Sequence, residues 1–301
     1  MYSTKRILKG LLFRTAGLWP DKAYLRALYR VTMGRSLDLD NCQTMNEKLQ
    51  WLKINNRHDD LTTLVDKLKA KDYIASKIGA EYVVPLLKVW EKASDITQED
   101  LDALPDQFVI KTNHSGGNTG VMIVKDKSKV TLEEIRSRMD LSMRQHDIHL
   151  HYREWPYKNV ERRIFAEAYL GDDLTDYKFY CFNGLADCVL LCTDRQSGHG
   201  TKYYFFSKDW KLCRYNKAGA AAPADFTLPQ PEGTPRMFEL AEQLSKGFPM
   251  VRVDFYDIAG RIYFGEMTFY PASGLDPNRL READLHFGSL IDLSLARNDY
   301  K

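Results

Sequence analysis

Apolar residues recur at helical spacing through the first sixty positions. Ile7, Leu8, Leu11, Leu12 and Leu18 fall about one turn apart beside Lys5, Arg6 and Lys9. AYLRALYRVTMG repeats the pattern, and MNEKLQWLKINN anchors a third helix on Leu49, Trp51 and Leu52. No strand pattern interrupts them, so residues 1–60 read as a helical N-terminal segment. LTTLVDKLKAKDYIASKIG then predicts one helix closed by Gly79, followed by short strands in VVPLLKVW, QFVIK and VMIVKD. A helix is predicted over about 131 to 145, with Thr131 and Glu134 at capping-box spacing.

Period-two alternation dominates the second half. RIFAEAYL, DYKFYCFNG, ADCVLLCTDR and TKYYFFSKDW predict strands, the Pro/Ala-rich stretch near 218 to 235 a surface loop, MFELAEQLSKG a helix, and MVRVDFYDIAGRIYFGEMTFY a hairpin. Runs of strands with solitary helices predict α+β subdomains with largely antiparallel sheets. The lack of regular strand–helix alternation argues against a doubly wound or barrel fold.

Composition narrows the class. At 301 residues and 44% hydrophobic content the chain can bury a proper core, and 28% charged residues with a net charge of +2 lack the lopsided charge of a nucleic-acid binder. Cys42, Cys181, Cys188, Cys192 and Cys213 form an odd set without metal-ligand spacing, which reads as free thiols in a reducing cytoplasm. The run Leu11-Leu12-Phe13 stops at Arg14, too short for a signal peptide or a membrane span. The basic amphipathic pattern of residues 1–20 also suits a helix lying on an anionic membrane surface, at the inner face of the membrane; docking on the protein's own core is the preferred reading.

The C-terminal hairpin carries the first candidate chemistry. Val251, Val253 and Phe255 alternate with Arg252, Asp254 and Tyr256, and Glu266 and Thr268 share a face of the returning strand. Closure about Gly260 sets Asp254 opposite Glu266, and two facing carboxylates in an apolar hairpin call for a cation between them. Oxygen-only ligands suit Mg²⁺ or Mn²⁺ better than zinc. The alternative is that Arg252 and Arg261 neutralise the pair on a solvated face.

Two further features suit phosphate. The loop from Lys111 to Gly120, KTNHSGGNTG, offers backbone amides and close approach at its glycines, while Lys111 ends an apolar strand where a buried ammonium needs an anion. Lys67 and Lys71 stand at i and i+4, so one helix face could aim both at one anion. The alternative is a solvated basic face. His146, His149 and His151 have a spacing that could bind zinc, though a polar surface segment after a helix explains them as well.

MNEKLQWLK, DKLKAKDYI, LPDQFVIKTNHSGG, REWPYKNVERRIFAEAYL, DYKFYCFNG, VRVDFY and FGEMTFYPASG together resemble the TupA-like branch of the ATP-grasp superfamily, over about residues 40 to 293. The resemblance implies an α+β ATP-grasp fold, with residues 61–166 and 167–301 forming two subdomains that clamp ATP behind the helical segment. By it Lys67, Lys71 and Lys111 would hold the phosphates, with His114, Ser115, Gly116 and Gly117 in the loop over them. Glu167, Tyr169 and Leu170 would lie on the hinge strand against which adenine packs, and Asp172 or Asp173 would meet the ribose. Lys178 would face the transferred phosphate, Asp254, Glu266 and Thr268 would hold the metal, and Arg252 would meet a developing oxyanion. Many members have asparagine where this chain has Thr268, a weaker ligand. The implied reaction joins a carboxylate to an amine through an acyl phosphate. The branch is found among capsule and cell-surface polysaccharide genes, which implies a uronic acid sugar and an amino acid or other amine as partners. Trp155, Tyr157, Tyr203 and Tyr204 would be available to stack on sugar rings. A sugar kinase with Asp176 or His114 as base, a glycosyltransferase, and a non-catalytic assembly partner are the competing readings.

Overall fold

A computed structural model describes residues 2–116, 120–145, 147–172, 174–193 and 201–300. Two units emerge: Asp59–His149 with Pro156–Leu174, and Met1–His58 with Leu150–Trp155 and Thr175–Lys301.

The smaller unit is built on four antiparallel strands, β1 (Leu86–Trp90), β2 (Phe108–Thr112), β3 (Val121–Val124) and β4 (Ile164–Ala168), in the order β1-β4-β2-β3. Alternation sends Phe108, Ile110, Ile164 and Ala166 into a core closed by Leu101, Ile135 and Met139. Val109, Lys111, Phe165 and Glu167 fall on the opposite face. The boundary expected between 166 and 167 therefore falls inside a paired strand, and Glu167 stays with the smaller unit. The single helix expected after residue 61 is broken into Asp59–Val65 and Ala70–Ile78. The buried Asp66 carboxylate accepts from the amides of Leu68 (2.9 Å) and Lys69 (3.2 Å), so a side chain competes with the helical ladder there.

The larger unit holds six antiparallel strands, β5 (Asp176–Phe182), β6 (Leu185–Thr193), β7 (Lys202–Ser207), β8 (Leu212–Cys213), β9 (Met250–Ile258) and β10 (Arg261–Thr268), in the order β10-β9-β5-β6-β7-β8. Phe179, Val251, Val253 and Phe255 are fully buried on one face, where the helix Thr234–Ser245 sets Phe238 edge-on to Phe179 at 4.8 Å. All five cysteines are free thiols. Of the aromatics considered for sugar stacking, Trp155 and Tyr204 are buried and Tyr157 half-buried; Tyr203 is exposed.

The N-terminal helices belong to this larger unit. Helix Met45–Asn55 starts at a capping box of Thr44 and Glu47 and lays Asn46, Gln50 and Lys53 against the chain that follows β10. The Asn46 amide donates to Asp284, and the Gln50 side-chain amide donates to the Gly274 carbonyl at 2.8 Å. The Lys53 ammonium, with no exposed surface, donates to Gln50 Oε1 (3.0 Å) and the Ser273 carbonyl (2.8 Å), while Ser273 donates its hydroxyl to Glu154 at 2.5 Å. Burial pushes the Lys53 pKa down and the Glu154 pKa up, each partly offset by the other's charge. This network holds Ala272 and Ser273 at φ of 50° and 56°, left-handed values unfavourable for residues with a Cβ. Lys53→Met should cost about 2 kcal/mol in urea denaturation, because two charge-assisted bonds are lost and Glu154 loses its counter-charge. Lys53→Met/Glu154→Gln should cost less than the sum of the single changes.

Candidate active site

In the larger unit the site begins with a hairpin. Ala259 and Gly260 occupy a two-residue turn with φ of 51° and 83°, the type I′ geometry that matches strand twist. That turn pairs Phe264 with Phe255, which would set Gly265 opposite Asp254 and send Glu266 into the core. A β-bulge at Gly265 corrects the register, so that Glu266 pairs with Asp254 and Thr268 with Arg252. A Cβ at Gly265 would stand 3.1 Å from the Asp254 carbonyl, a tight contact that glycine avoids. Asp254 and Glu266 thus face each other as expected, but by way of a bulge and not of a symmetric closure.

Strand pairing adds Lys178 opposite Asp254 and Asp176 opposite Tyr256 on the same face. The Arg252 guanidinium donates to both oxygens of Asp254 at 2.7 Å and to Glu266 Oε1 at 2.8 Å. Lys178 donates to Asp254 Oδ2 at 2.6 Å and lies 3.1 Å from Asp176, and the Thr268 hydroxyl donates to Glu266 at 3.1 Å. Three carboxylates therefore meet two cations. Asp254 is only 2% exposed, so this is not the solvated face of the alternative reading. Of the two arginines in that reading, Arg252 does neutralise the pair, whereas Arg261 lies over the Tyr263 ring at 4.9 Å. Burial works against the charges of Arg252 and Lys178, yet Asp254 chiefly outweighs it and holds both pKa values above their ordinary range.

The donor set is oxygen only and carries one excess negative charge, which fits Mg²⁺ or Mn²⁺. Among the described residues no group of three or more His, Cys, Asp and Glu side chains stands close enough to hold a metal. Asp254 and Glu266 would thus supply two ligands, with Thr268 positioned to orient Glu266. His151 instead stacks on Phe13 at 4.4 Å, and His146 lies outside the described residues.

In the smaller unit the cations expected to hold phosphate are partnered from within. Lys71 donates to Glu167 Oε2 (2.9 Å) and to the Val84 carbonyl (2.8 Å), and Lys111 donates to Glu167 Oε1. Lys67 donates to the Ser115 carbonyl at 2.7 Å. Because of the helix break, Lys67 and Lys71 do not share a helix face. Glu167, expected on the hinge strand, supplies the buried anion that Lys111 needs. Burial opposes its charge, but Lys111 and then Lys71 outweigh it and hold the carboxyl below the usual range. The first-order cause for Lys71 is burial, which lowers its pKa against the pull of Glu167.

His114 and Ser115 are buried and Gly116 is exposed; Gly117 lies outside the described residues. A Cβ at Gly120 would fall 1.9 Å from Ser115 Oγ, so glycine alone lets the loop return there. Asn113, which sequence reasoning missed, anchors the loop: it accepts from the Arg163 amide and donates to the Glu161 carbonyl, both at 2.9 Å. Past β4, Tyr169 donates its hydroxyl to Asp172, which also pairs with Lys125; Leu170 is half-buried and Asp173 lies outside the described residues. Asp176 was legible from the i, i+2 spacing of Asp-Tyr-Lys on a strand.

A family model described as TupA-like ATPgrasp matches residues 47–292. No curated protein matches the chain in sequence. Among solved structures, the D-alanine–D-alanine ligase from Bacillus anthracis complexed with ATP is 16% identical over 83% of this chain and 70% of its own, with a TM-score of 0.46. The biotin carboxylase–βγ-ATP complex from Campylobacter jejuni is 12% identical over 82% of this chain and 50% of its own, with a TM-score of 0.47. The D-alanine–D-alanine ligase from Helicobacter pylori is 11% identical over 83% of this chain and 67% of its own, with a TM-score of 0.44. The chain thus spans about two thirds of these ligases and half of the carboxylase. Likeness at this level transfers no residue from those enzymes.

Proposed function

The chain belongs to the TupA-like ATP-grasp family, and from that premise we propose that it is a ligase joining a carboxylate to an amine through an acyl phosphate formed from ATP. The observation that carries this reading is the cluster on one sheet face in which Arg252 and Lys178 surround Asp254 beside Glu266. The substrate carboxylate attacks the γ-phosphorus and ADP leaves; the amine then attacks the acyl carbon, phosphate departs, and the amine gives up a proton. Lys67, Lys71 and Lys111 would bind phosphate oxygens, and the loop at His114, Ser115 and Gly116 would lie over them. Asp254 and Glu266 would hold a divalent ion, which when bound withdraws charge from the phosphoryl group. Arg252 stays cationic through the neutral range and would stabilise the oxyanion, with Lys178 directed at the phosphoryl group.

For the carboxylate we infer a uronic acid, and for the amine an amino acid or other small amine, in cell-surface polysaccharide assembly. The support is the company of the family, and of the four aromatics considered for stacking Tyr203 is the exposed one. Asp176, 3.1 Å from Lys178, favours a second reading in which it acts as base toward a sugar hydroxyl and the product is a sugar phosphate.

The two readings separate on hydroxylamine. With Mg²⁺, ATP and a panel of uronic acids, the ligase should release ADP and give a hydroxamate of matching amount by mass spectrometry. ADP accompanied by a sugar phosphate and no hydroxamate would establish the kinase. No ADP with any pairing would remove the support for both.

A further inference from the structure

The helix Tyr2–Arg14 carries two apolar faces where a surface helix ordinarily has one. Leu12 and Phe13, with Ala16 in the next turn, pack against Tyr24, Leu25 and Leu28. Ile7, Leu8 and Leu11 lie on the other side at 60%, 45% and 51% exposure, and Leu18 (83%) and Trp19 (40%) continue the stripe. Five large apolar side chains in one exposed row are costly in water unless something covers them.

The charge around the stripe identifies the cover. Residues 1–20 carry Lys5, Arg6, Lys9 and Arg14 and no acidic residue, while the remaining 281 residues sum to −2. Lys9 turns inward over the rings of Phe13 and Tyr152, at 5.3 and 5.2 Å, while Lys5, Arg6 and Arg14 are exposed on the same short segment as the stripe. A second copy of the chain would bring the same cations against these, which disfavours self-association. No helix among the described residues is long and apolar enough to cross a membrane, so any bilayer contact through this helix is peripheral.

We propose that this surface docks the protein on an anionic lipid bilayer, with Ile7, Leu8, Leu11, Leu18 and Trp19 at the headgroup–acyl boundary and the exposed cations of the same segment reaching lipid phosphates. Co-sedimentation with vesicles tests it, using phosphatidylglycerol–phosphatidylcholine mixtures against pure phosphatidylcholine. The wild-type protein should bind the anionic vesicles and not the neutral ones. Binding should weaken as salt rises from 0.1 to 1 M, over which the screening length falls from about 10 Å to about 3 Å. I7S/L8S/L11S should bind at least ~10-fold more weakly, and K5Q/R6Q/R14Q should lose the preference for anionic lipid. Both variants should keep the wild-type circular dichroism spectrum and the thermal shift on adding ATP, which shows that the fold is intact. Failure of the wild-type protein to sediment, or equal binding by I7S/L8S/L11S, overturns the proposal. A wild-type dimer that I7S/L8S/L11S dissociates, without vesicle binding, assigns the stripe to a self-interface instead.

Discussion

Arg252→Ala should lower turnover by about a hundredfold and also destabilise the ligand-free protein, and a divalent cation should restore much of the lost stability. The kinetic part follows from the proposed role: removing one preorganised donor at a developing oxyanion typically costs roughly 3 kcal/mol of barrier. The stability part comes from the hairpin itself. Arg252 makes three bonds to Asp254 and Glu266, and Asp254 is buried. Taking the guanidinium away leaves Lys178 alone against the carboxylates, and breaking such a pair costs about 3 kcal/mol. Mg²⁺ supplies two positive charges to the same oxygens, so thermal melts with and without Mg²⁺ should differ more for the variant than for the wild-type protein. Wild-type turnover in the variant would refute the oxyanion role. A Mg²⁺ effect equal in both proteins would remove Asp254 and Glu266 as the metal ligands.

Glu167→Gln should produce the largest loss of stability in the smaller unit, about 3–5 kcal/mol. The change keeps the shape and removes the buried anion that Lys71 and Lys111 share, so two ammonium groups are left facing each other. Lys111→Met/Glu167→Gln should cost less than Glu167→Gln alone, because the repulsion is gone. The sign with pH is fixed by the lowered Glu167 pKa. Its stabilising effect is complete above the ordinary glutamate value of about 4.3 and disappears as pH falls through the lower folded value, so in urea melts the gap between the two proteins should start to shrink below about pH 4 and close only below that folded value. ATP carries the same kind of charge. If Lys71 and Lys111 bind its phosphates, saturating ATP should narrow the gap between wild-type and Glu167→Gln protein; an unchanged gap would make the trio purely structural.

Local periodicity revealed what each strand presents to each face. Arg252, Asp254 and Tyr256 alternate with Val251, Val253 and Phe255 in the sequence as they do across β9, and Thr131 with Glu134 opens its helix as its spacing implies. Lys178 came from the family resemblance alone, and the pairing of β5 with β9 is what sets it opposite Asp254. Periodicity failed where a side chain competes with the backbone. Asp66 breaks a helix that reads as continuous, and with it the shared face of Lys67 and Lys71.

Gly265 shows the division most sharply. That two carboxylates lie near each other on a hairpin is legible along the chain, because reversal near Gly260 brings positions 254 and 266 together. That a two-residue turn plus a bulge, and not a symmetric loop, restores them to one face emerges from the folded strands. The same holds for partners. Lys111 was legible as an ammonium in need of an anion, but Glu167 lies 56 positions away and reaches it through the pairing of β2 with β4. Lys53, Glu154 and Ser273 likewise stand far apart in three separate motifs, and only folding brings them into one buried network. Side-chain alternation is a property of neighbouring residues and can be read along the chain; the identity of a buried charge's partner is set by long-range packing, which no local period encodes.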